Sequence, residues 1–358
     1  MIKFLIINPF GIGDVLFTTP VIRAIKDAYP DSVIGYWCNE RVGGVLRNSP
    51  KINKVFALSR GDIKKIRNES WWKGIFSFLG LLRGIKREKF DISLDFSLDH
   101  RYSLISKLLG IKKRVGFNYK KRGRFLTHKI DVEGYSLRHV VEYYLDLLKP
   151  LGIKPGGNTL EFPVPESSKV KSKNMLAGHG ITGKGPVIGI VPGGGASWGR
   201  DAVFKHWPAL KYAQLADKLA KDSSSQIVIL GDESERPITE VVVSAMKHKP
   251  LDLTGRTNLE ELAALISNLN ILITNDGGPL HIAVALGIKT VAVFGPVDAL
   301  VYGPYPPSAR HVVIHKDFDC RPCYRNFRFQ GCEHDRRCTR GITVDEVYAA
   351  AHRLIKKE

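Results

Sequence analysis

An acid, two glycines, a proline and a histidine fall within seven residues of the stretch NDGGPLHIAVALGIKTVAVFGP, residues 275–296. The apolar run before this cluster predicts a buried strand, and the periodic run after it predicts a helix. Gly277 and Gly278 let the backbone approach a ligand closely, and the free N–H groups of a helix N-terminus favour an anion. Asp276 and His281 would then lie beside a bound phosphate or sugar hydroxyl. Taken alone, His281 is better explained as a half-buried histidine whose hydrogen bonds are satisfied within the protein.

A second glycine-rich loop, VPGGGASWGRDAVFKHWP, covers residues 191–208. Its glycine run, which includes Gly194 and Gly195, exposes backbone N–H groups, while Ser197 and Lys205 add a hydroxyl and a cation. This composition predicts a loop that grips phosphate oxygens, the alternative being a flexible surface loop. The P-loop spacing GxxxxGK[ST] is absent from the sequence, which argues against ATP hydrolysis.

The first loop of the chain, NPFGIGDVLFTTP at residues 8–20, places an acid at a helix start. We expect Gly11 and Gly13 to let the backbone turn tightly before a helix that runs toward Tyr29. Asp14 has two interpretations. It either caps this helix or acts as a general base that takes a proton from a substrate hydroxyl.

Four of the five cysteines crowd together with the spacing C-x2-C-x8-C-x5-C, at Cys320, Cys323, Cys332 and Cys338. In a chain without a signal peptide, this set indicates a metal site more than disulfides. Four thiolates would close the coordination sphere of zinc or iron, so the site would be structural, with His334 as a substitute ligand. The fifth cysteine, Cys38, is predicted to be a buried apolar residue at a strand end.

The elements that must position these residues follow a single pattern. Short apolar runs alternate with longer amphipathic stretches, which is typical of parallel strands joined by helices. A Pro- and Gly-rich stretch between residues 150 and 165 separates two such series. We therefore predict two Rossmann-like α/β domains, residues 1–160 and 161–358, whose parallel sheets face a central cleft. Ligands of such sheets bind beyond the carboxyl ends of the strands, where all three loops occur.

The charge of the chain is unevenly distributed. Its 358 residues carry a net charge of +19, and residues 51–150 hold 23 Lys and Arg against 10 Asp and Glu. The positive field of this region suits binding of nucleic acid, an anionic membrane face or a phosphorylated substrate. The alternative is a solvated basic surface that only increases solubility. The sequence shows neither an apolar run long enough to span a membrane nor a signal peptide, so we expect a cytoplasmic protein.

Four motifs, in the same order along nearly the whole chain, carry a resemblance to a known family. They are NPFGIGDVLFTTP, GGGASWGRDAVFKHWP, GDESER and TNDGGPLHIAVALGIKTVAVFGP. Together they resemble glycosyltransferase family 9, the lipopolysaccharide heptosyltransferases and their relatives. The resemblance implies a GT-B fold, with the nucleotide sugar bound mainly by the C-terminal domain and the acceptor mainly by the N-terminal one. It also implies inverting transfer that requires no cofactor, ADP-heptose as the best-known donor and a lipid A-linked inner-core acceptor.

The same resemblance implies roles for individual residues. Asp14 matches the catalytic base, and Lys205 matches the lysine that neutralises the leaving diphosphate. Either Glu233 or Glu235 matches an acid that contacts the donor. This chain departs from the best-known members by a longer spacing between Ser197 and Lys205. The donor-binding positions are Gly194, Gly195, Ser197, Asp276, Gly277, Gly278 and His281.

The basic region, residues 51–150, then has two expected roles. Residues 71–90, WWKGIFSFLGLLRGIKREKF, interleave aromatic and apolar residues with cations, which suits a helix lying on an anionic inner membrane face. The alternative is a core helix with a basic outer side. Residues 112–125, KKRVGFNYKKRGRF, would meet phosphates of the acceptor.

Two other functions fit the sequence less well. One is a basic nucleic-acid-binding protein with a four-cysteine metal site, although no nucleic-acid recognition motif is present and we expect no nucleic-acid partner. The other is a sugar-nucleotide epimerase of the same fold, which would convert the donor without an acceptor. A comparison of nucleotide-sugar binding with RNA binding would distinguish the glycosyltransferase hypothesis from the nucleic-acid-binding one.

Overall fold

The chain divides into two compact units, Met1–Thr159 and Leu160–Glu358. The computed structural model describes residues 1–58 and 60–356, without the side chains of residues 60–71, 73, 196 and 223. Each unit has its own sheet and its own buried core, so each positions its loops independently.

Six parallel strands form the sheet in the described part of the N-terminal unit. They are β1 (Lys3–Asn8), β2 (Val33–Cys38), β3 (Lys54–Ala57), β4 (Ile92–Asp95), β5 (Lys113–Tyr119) and β6 (His128–Val132). Across the sheet they are ordered β3-β2-β1-β4-β5-β6. The helices are α1 (Ile12–Leu16), α2 (Thr19–Ala28), α3 (Gly43–Leu46), α4 (Arg60–Glu88), α5 (His100–Leu108) and α6 (Val140–Asp146).

The centre of this sheet is apolar on both faces. In β1 every residue after Lys3 is buried, because helices cover a parallel sheet on both sides. One core cluster joins β1 to neighbouring strands through Leu5, Trp37 and Phe56. Cys38 is buried at the end of β2, as predicted.

The single helix expected after the first loop is wrong, since two helices occupy this stretch. α1 ends at Leu16 and α2 begins at Thr19, with Pro20 in the first turn of α2. Proline lacks an N–H donor and clashes with the preceding helical turn, so it starts a helix more readily than it continues one. The hydroxyl of Thr18 in the break donates to the carbonyl of Val15 at 2.6 Å.

Six parallel strands also form the main sheet in the described part of the C-terminal unit. They are β7 (Val187–Val191), β8 (Gln226–Ile229), β9 (Leu251–Asp252), β10 (Ile271–Asn275), β11 (Lys289–Val293) and β12 (His311–Ile314), in the spatial order β12-β11-β10-β7-β8-β9. A small antiparallel hairpin follows, with β13 (Tyr324–Arg325) and β14 (Arg328–Phe329). The helices are α7 (Glu166–Gly178), α8 (Ala209–Ser223), α9 (Arg236–Ala245), α10 (Leu259–Ile266), α11 (Gly278–Ala285), α12 (Ala299–Tyr302), α13 (Arg337–Arg340) and α14 (Val344–Lys356).

The last helix closes the core of this unit. Val347, Ala351 and Leu354 of α14 are buried in the cluster that contains Trp207. The indole N–H of Trp207 donates to the carbonyl of Ile342 at 3.1 Å, which ties the turn before α14 to the loop before α8. The chain end therefore helps to hold the segment that carries Lys205.

Helix α4 is the longest helix, but its composition is mixed. Within residues 1–58 and 60–356, none of the helices combines the length and apolar character that a bilayer crossing requires. Along this helix, Ile85 is buried in the core, whereas Trp72 and Phe76 are 56% and 63% exposed. The side chains of Trp71 and Lys73, which belong to the predicted membrane-facing stretch, lie outside the described residues.

Candidate functional site

The two glycine-rich loops of the C-terminal unit meet at one edge of its sheet. β7 and β10 are neighbouring parallel strands, with Val191 opposite Thr274, so the loops that follow them leave the sheet side by side. Gly194 and Gly195 have φ values of +102° and +79°, a region that L side chains rarely adopt. A Cβ at Gly277 would lie 3.3 Å from the backbone N of Gly195, so the loops are in close contact.

The side chain of Asn275 links these loops through hydrogen bonds. Its side-chain oxygen accepts from the backbone N–H of Trp207 at 2.9 Å, and its amide donates to the carbonyls of Pro192 and Gly193 at 2.7 and 2.9 Å. The side chain is buried, so all three bonds are protected from water. The local sequence does not reveal this role of Asn275, because its partners lie more than 60 residues away along the chain.

Lys205 and Asp276 form a buried ion pair at the meeting point of the loops. The ammonium Nζ lies 2.6 Å from the carboxylate Oδ2, and the two side chains are 8% and 6% exposed. A buried pair of this kind is costly to desolvate, so stability alone is a weak reason to retain it. The structure thus brings together the predicted cation of one loop and the predicted acid of the other.

His281 lies in the first turns of α11 and is almost completely buried. Burial lowers its pKa to about 4, with the Asp276 carboxylate acting in the opposite direction and Lys205 lowering it further. The imidazole is therefore neutral at physiological pH. Both charged groups of the ion pair are within its electrostatic reach, so the three predicted residues form one cluster.

Gly277 is the N-cap residue of α11 and provides no side-chain cap to the first turn. The positive end of the helix dipole therefore lies at the junction of the two loops, beside the ion pair. Gly278 begins the helix there. Ser197, in contrast, is exposed on the segment between the glycine run and Lys205.

The structure separates the two acids of GDESER. Glu235 accepts a hydrogen bond from the backbone N–H of Gly194 and another from that of Asp232, the latter at 3.0 Å. Burial, and to a smaller extent Asp232, raises the pKa of Glu235. Glu233 is 68% exposed and pairs with Arg236 on its own helical turn. Glu235 is therefore the acid that touches the glycine loop.

In the N-terminal unit, Asp14 lies at the third position of α1. Its carboxylate accepts from the backbone N–H of Gly11 at 3.2 Å, which is a capping interaction. Gly11 has φ −80°, which any residue adopts, and Gly13 lies inside α1, so the expected glycine-dependent turn is wrong. Asp14 is only half-buried, and its role as a base stays a prediction.

A second acid, Asp95, lies at the carboxyl end of β4, directly beside the end of β1. It is buried, and its Oδ1 accepts from the backbone N–H of Ser97 at 2.9 Å. Burial raises its pKa to about 7. Nothing in the local sequence pattern distinguishes a buried carboxyl at this position from an exposed one.

The four clustered cysteines surround the hairpin of β13 and β14. All five thiols of the chain are free, and Cys338 is buried while the other three of the cluster are half-buried. Burial raises the pKa of Cys323 to about 11, with smaller contributions from the thiols of Cys320, Cys338 and Cys332. In the described part of the chain, no three histidine, cysteine or acidic side chains form a ready-made metal site. Metal binding by Cys320, Cys323, Cys332 and Cys338 therefore stays a prediction.

Comparisons with known proteins agree with this architecture. The profile of glycosyltransferase family 9 (heptosyltransferase) matches residues 78–332. Lipopolysaccharide heptosyltransferase 3 of Escherichia coli (strain K12) is 25% identical over 303 residues, which cover 82% of this chain and 82% of that protein.

Two solved structures superpose on almost the whole chain. The glycosyl transferase family 9 structure from Veillonella parvula DSM 2008 has a TM-score of 0.84 and 26% identity, covering 99% of this chain and 98% of that one. The E. coli ADP-heptose LPS heptosyltransferase II has a TM-score of 0.77 and 21% identity, covering 99% and 98%. These likenesses confirm the predicted GT-B class. The chain belongs to glycosyltransferase family 9 and is a glycosyltransferase.

Proposed function

We propose that this protein transfers heptose from ADP-heptose to the inner core of a lipopolysaccharide acceptor. The observation that carries the proposal is the buried Lys205–Asp276 pair at the junction of two glycine-rich loops. A lysine, the backbone of two glycine-rich loops and a helix N-terminus together suit the diphosphate of a nucleotide sugar. The family to which the chain belongs and the names of its relatives supply the sugar and the acceptor class.

In this proposal the donor is held by the C-terminal unit. The backbone at Gly195, Gly277 and Gly278 faces the diphosphate, while the N–H of Gly194 stays bonded to Glu235. Lys205 neutralises the charge that grows on the diphosphate as the bond to the sugar breaks. The Asp276 carboxylate accepts a hydrogen bond from a sugar hydroxyl, and neutral His281 donates one to a phosphate oxygen or a sugar hydroxyl. Glu235 holds the glycine loop in place through Gly194. No metal ion is needed for these steps.

The acceptor is handled by the N-terminal unit. Asp14 removes the proton from the acceptor hydroxyl, the oxygen forms a bond to the anomeric carbon, and ADP departs with inversion of configuration. The capping bond from Gly11 holds the Asp14 carboxylate at the start of α1. The cations of residues 112–125, several of them exposed, attract the phosphates of the acceptor.

We also propose a cytoplasmic location with peripheral contact to an anionic membrane face. Trp72, Ile75, Phe76 and Leu79 of α4 are all exposed apolar residues. They are spaced i, i+3, i+4 and i+7, so they lie on one side of the helix. Exposed cations follow them in the last turns of α4, at Arg83, Lys86 and Arg87. Such a combination binds acidic lipid surfaces.

The transfer is tested with purified protein, ADP-heptose and an inner-core acceptor, with UDP- and GDP-sugars as matched donors. We expect ADP release that depends on the acceptor, together with a glycosylated product detected by mass spectrometry. Conversion of ADP-heptose to another sugar nucleotide without an acceptor would show an epimerase instead. Binding of RNA without binding of any nucleotide sugar would favour the nucleic-acid hypothesis.

A further inference from the structure

The cysteine-rich hairpin packs against the segment that carries Lys205. Tyr324 of β13 and Phe329 of β14 are paired across the hairpin. The ring of Tyr324 stacks on Trp198 with centroids 5.1 Å apart and an interplanar angle of 29°. Phe329 lies 5.2 Å from the Trp198 ring and 5.0 Å from that of Phe204. The two hairpin rings therefore support the segment at Trp198 and again at Phe204.

Trp198 in turn contacts the ammonium of Lys205. The Nζ atom lies 4.3 Å from the centroid of the indole ring, within the range of a cation–π interaction. The same Nζ is 2.6 Å from Asp276. The ammonium is thus confined between an aromatic face and a carboxylate, and the aromatic face is itself held by the hairpin.

The segment needs such support because its own backbone is interrupted. The 3₁₀ stretch Ala196–Lys205 contains Gly199 with φ 59° and ψ −124°, which is not helical. Trp198 and Lys205 lie on opposite sides of this break, so a continuous helix does not fix one relative to the other. Contacts from outside the segment must do so.

The hairpin is well anchored for this purpose. The backbone N–H groups of Cys323 and Tyr324 both donate to the carbonyl of Pro296, at 2.9 and 3.1 Å. Beyond the hairpin, the Arg336 guanidinium donates to the carbonyl of Val203 at 3.0 Å. Val203 lies two residues before Lys205. The hairpin is therefore attached to the loop after β11, and the following turn is attached to the segment itself.

We propose that Trp198, Tyr324 and Phe329 are positioning residues for Lys205. The aromatic stack places the ammonium where it meets the leaving diphosphate, and it keeps the ammonium there as negative charge grows in the transition state. This inference rests on the proposed function for its catalytic consequence, but the placement of Lys205 is a property of the protein alone. The cysteine-rich segment thereby gains a role in the donor site.

The placement is tested first without any substrate. The full-length protein is treated briefly with acetic anhydride, and acetylation of Lys205 is followed by mass spectrometry. In the wild type we expect slow modification, because the Lys205 side chain is only 8% exposed. Tyr324→Ala should raise the rate by about 3- to 30-fold, the range that corresponds to losing a cation–π support. Tyr324→Phe, which keeps the ring, should behave like the wild type.

A matched control comes from another lysine–aromatic pair of the same unit. Lys218 lies 4.2 Å from the ring centroid of Tyr348. Tyr348→Ala should therefore change the acetylation of Lys218 but not that of Lys205. Equal rates at Lys205 in Tyr324→Ala and the wild type, or a rise as large in Tyr348→Ala as in Tyr324→Ala, would overturn the inference.

The catalytic consequence is tested by steady-state kinetics of transfer. Tyr324→Ala should lower kcat by about 3- to 30-fold and leave the KM for the nucleotide sugar within twofold, with recovery in Tyr324→Phe. An unchanged kcat in a variant whose Lys205 has become reactive would overturn the inference. If the wild type transfers no sugar at all, the proposed function fails, while the acetylation experiment still decides whether the stack positions Lys205.

Discussion

At the scale of single residues, four carboxylates of the two units occupy different environments. Asp14 caps a short helix, Glu235 is buried against a loop, and Asp276 is paired with a lysine. Asp95 is buried with a backbone N–H as its partner. One kind of functional group therefore provides a candidate base, a hydrogen-bond acceptor for a loop, the partner of a lysine and a buried acid at the end of a strand. Each environment predicts a different response to substitution.

Substitution of Asp14 separates its two roles. Asp14→Asn keeps an oxygen that can accept from the Gly11 N–H, but it removes the ability to take a proton. We expect kcat for transfer to fall by about 10²- to 10⁴-fold, with donor affinity measured by calorimetry nearly unchanged. Asp27→Asn, an exposed acid on α2 of the same unit, is the control and should retain full activity. Equal loss of activity and donor affinity would show that Asp14 is only a cap.

The acids of GDESER provide a matched pair. Glu235→Ala leaves the N–H groups of Gly194 and Asp232 without their acceptor, at a cost of about 1–3 kcal/mol. Because Gly194 belongs to the loop that we propose binds the donor, we expect donor affinity to fall about tenfold, which is equivalent to ~1.4 kcal/mol. Glu233→Ala, which removes an exposed partner of Arg236, should leave donor affinity unchanged. A larger effect at Glu233 than at Glu235 would reverse our assignment.

The raised pKa of Asp95 predicts that the free energy of unfolding depends on pH. Its folded-state pKa is about 7, whereas an unfolded Asp titrates near ~4. The folded state therefore binds the proton more tightly, so this contribution to stability is complete below about pH 4 and is lost as the pH rises through 7. Asp95→Asn should raise the free energy of unfolding at pH 8 by up to about 4 kcal/mol, with no gain at pH 4. Urea unfolding at both pH values checks this, and an equal change at both would contradict it.

At the scale of elements, burial decides which parts of the fold could be read from the sequence. The central strands were predictable because β1, β7 and β10 are buried along nearly their whole length and appear as apolar runs. The edge strands β6 and β12 escaped prediction. β6 contains no fully buried residue, and β12 is half-buried throughout, so neither produces a strong apolar run.

The candidate site residues also differ in how far the sequence predicts them. Asp276, His281 and Lys205 could be identified because they lie in distinctive loops whose motifs resemble a known family. The role of Asn275 and the choice between Glu233 and Glu235 could not be predicted, since they depend on partners about 40 to 80 residues away. The stack on Trp198 was equally invisible, because it joins a loop to a hairpin more than 120 residues farther along.

The four-cysteine cluster is the element whose chemistry is most directly testable. We expect purified protein to contain about one zinc or iron ion per chain, since four thiolates form a closed structural site. Cys323→Ser should lose this ion, because the Cys323 thiol is within electrostatic reach of those of Cys320, Cys332 and Cys338. Elemental analysis measures the content, and Cys38→Ala, which alters a cysteine in the core of the other unit, is the control. Metal-free protein in the wild type would contradict the prediction.

At the scale of the whole molecule, charge and the candidate site residues are distributed unequally between the two units. The glycine-rich loops, Lys205, Asp276 and the cysteine cluster all belong to the unit Leu160–Glu358. The largest excess of positive charge, with 23 Lys and Arg against 10 Asp and Glu, lies in residues 51–150. The exposed apolar side of α4 lies in the same N-terminal unit. A lipid-linked, phosphorylated acceptor would be attracted to this unit, whereas a soluble nucleotide sugar needs only the other.

This division predicts reversible binding to acidic membranes through α4. The full-length protein should sediment with phosphatidylglycerol-containing vesicles but not with neutral phosphatidylcholine vesicles, and high salt should weaken the binding, because attraction between exposed charges is screened. Phe76→Ser, at a residue that is 63% exposed, should weaken binding about tenfold by removing one inserted aromatic side chain. Leu210→Ser, at an apolar residue of the other unit that is 57% exposed, should have no effect. Equal weakening by both variants would place the contact elsewhere, and binding to neutral vesicles as tight as to acidic ones would contradict the role of charge.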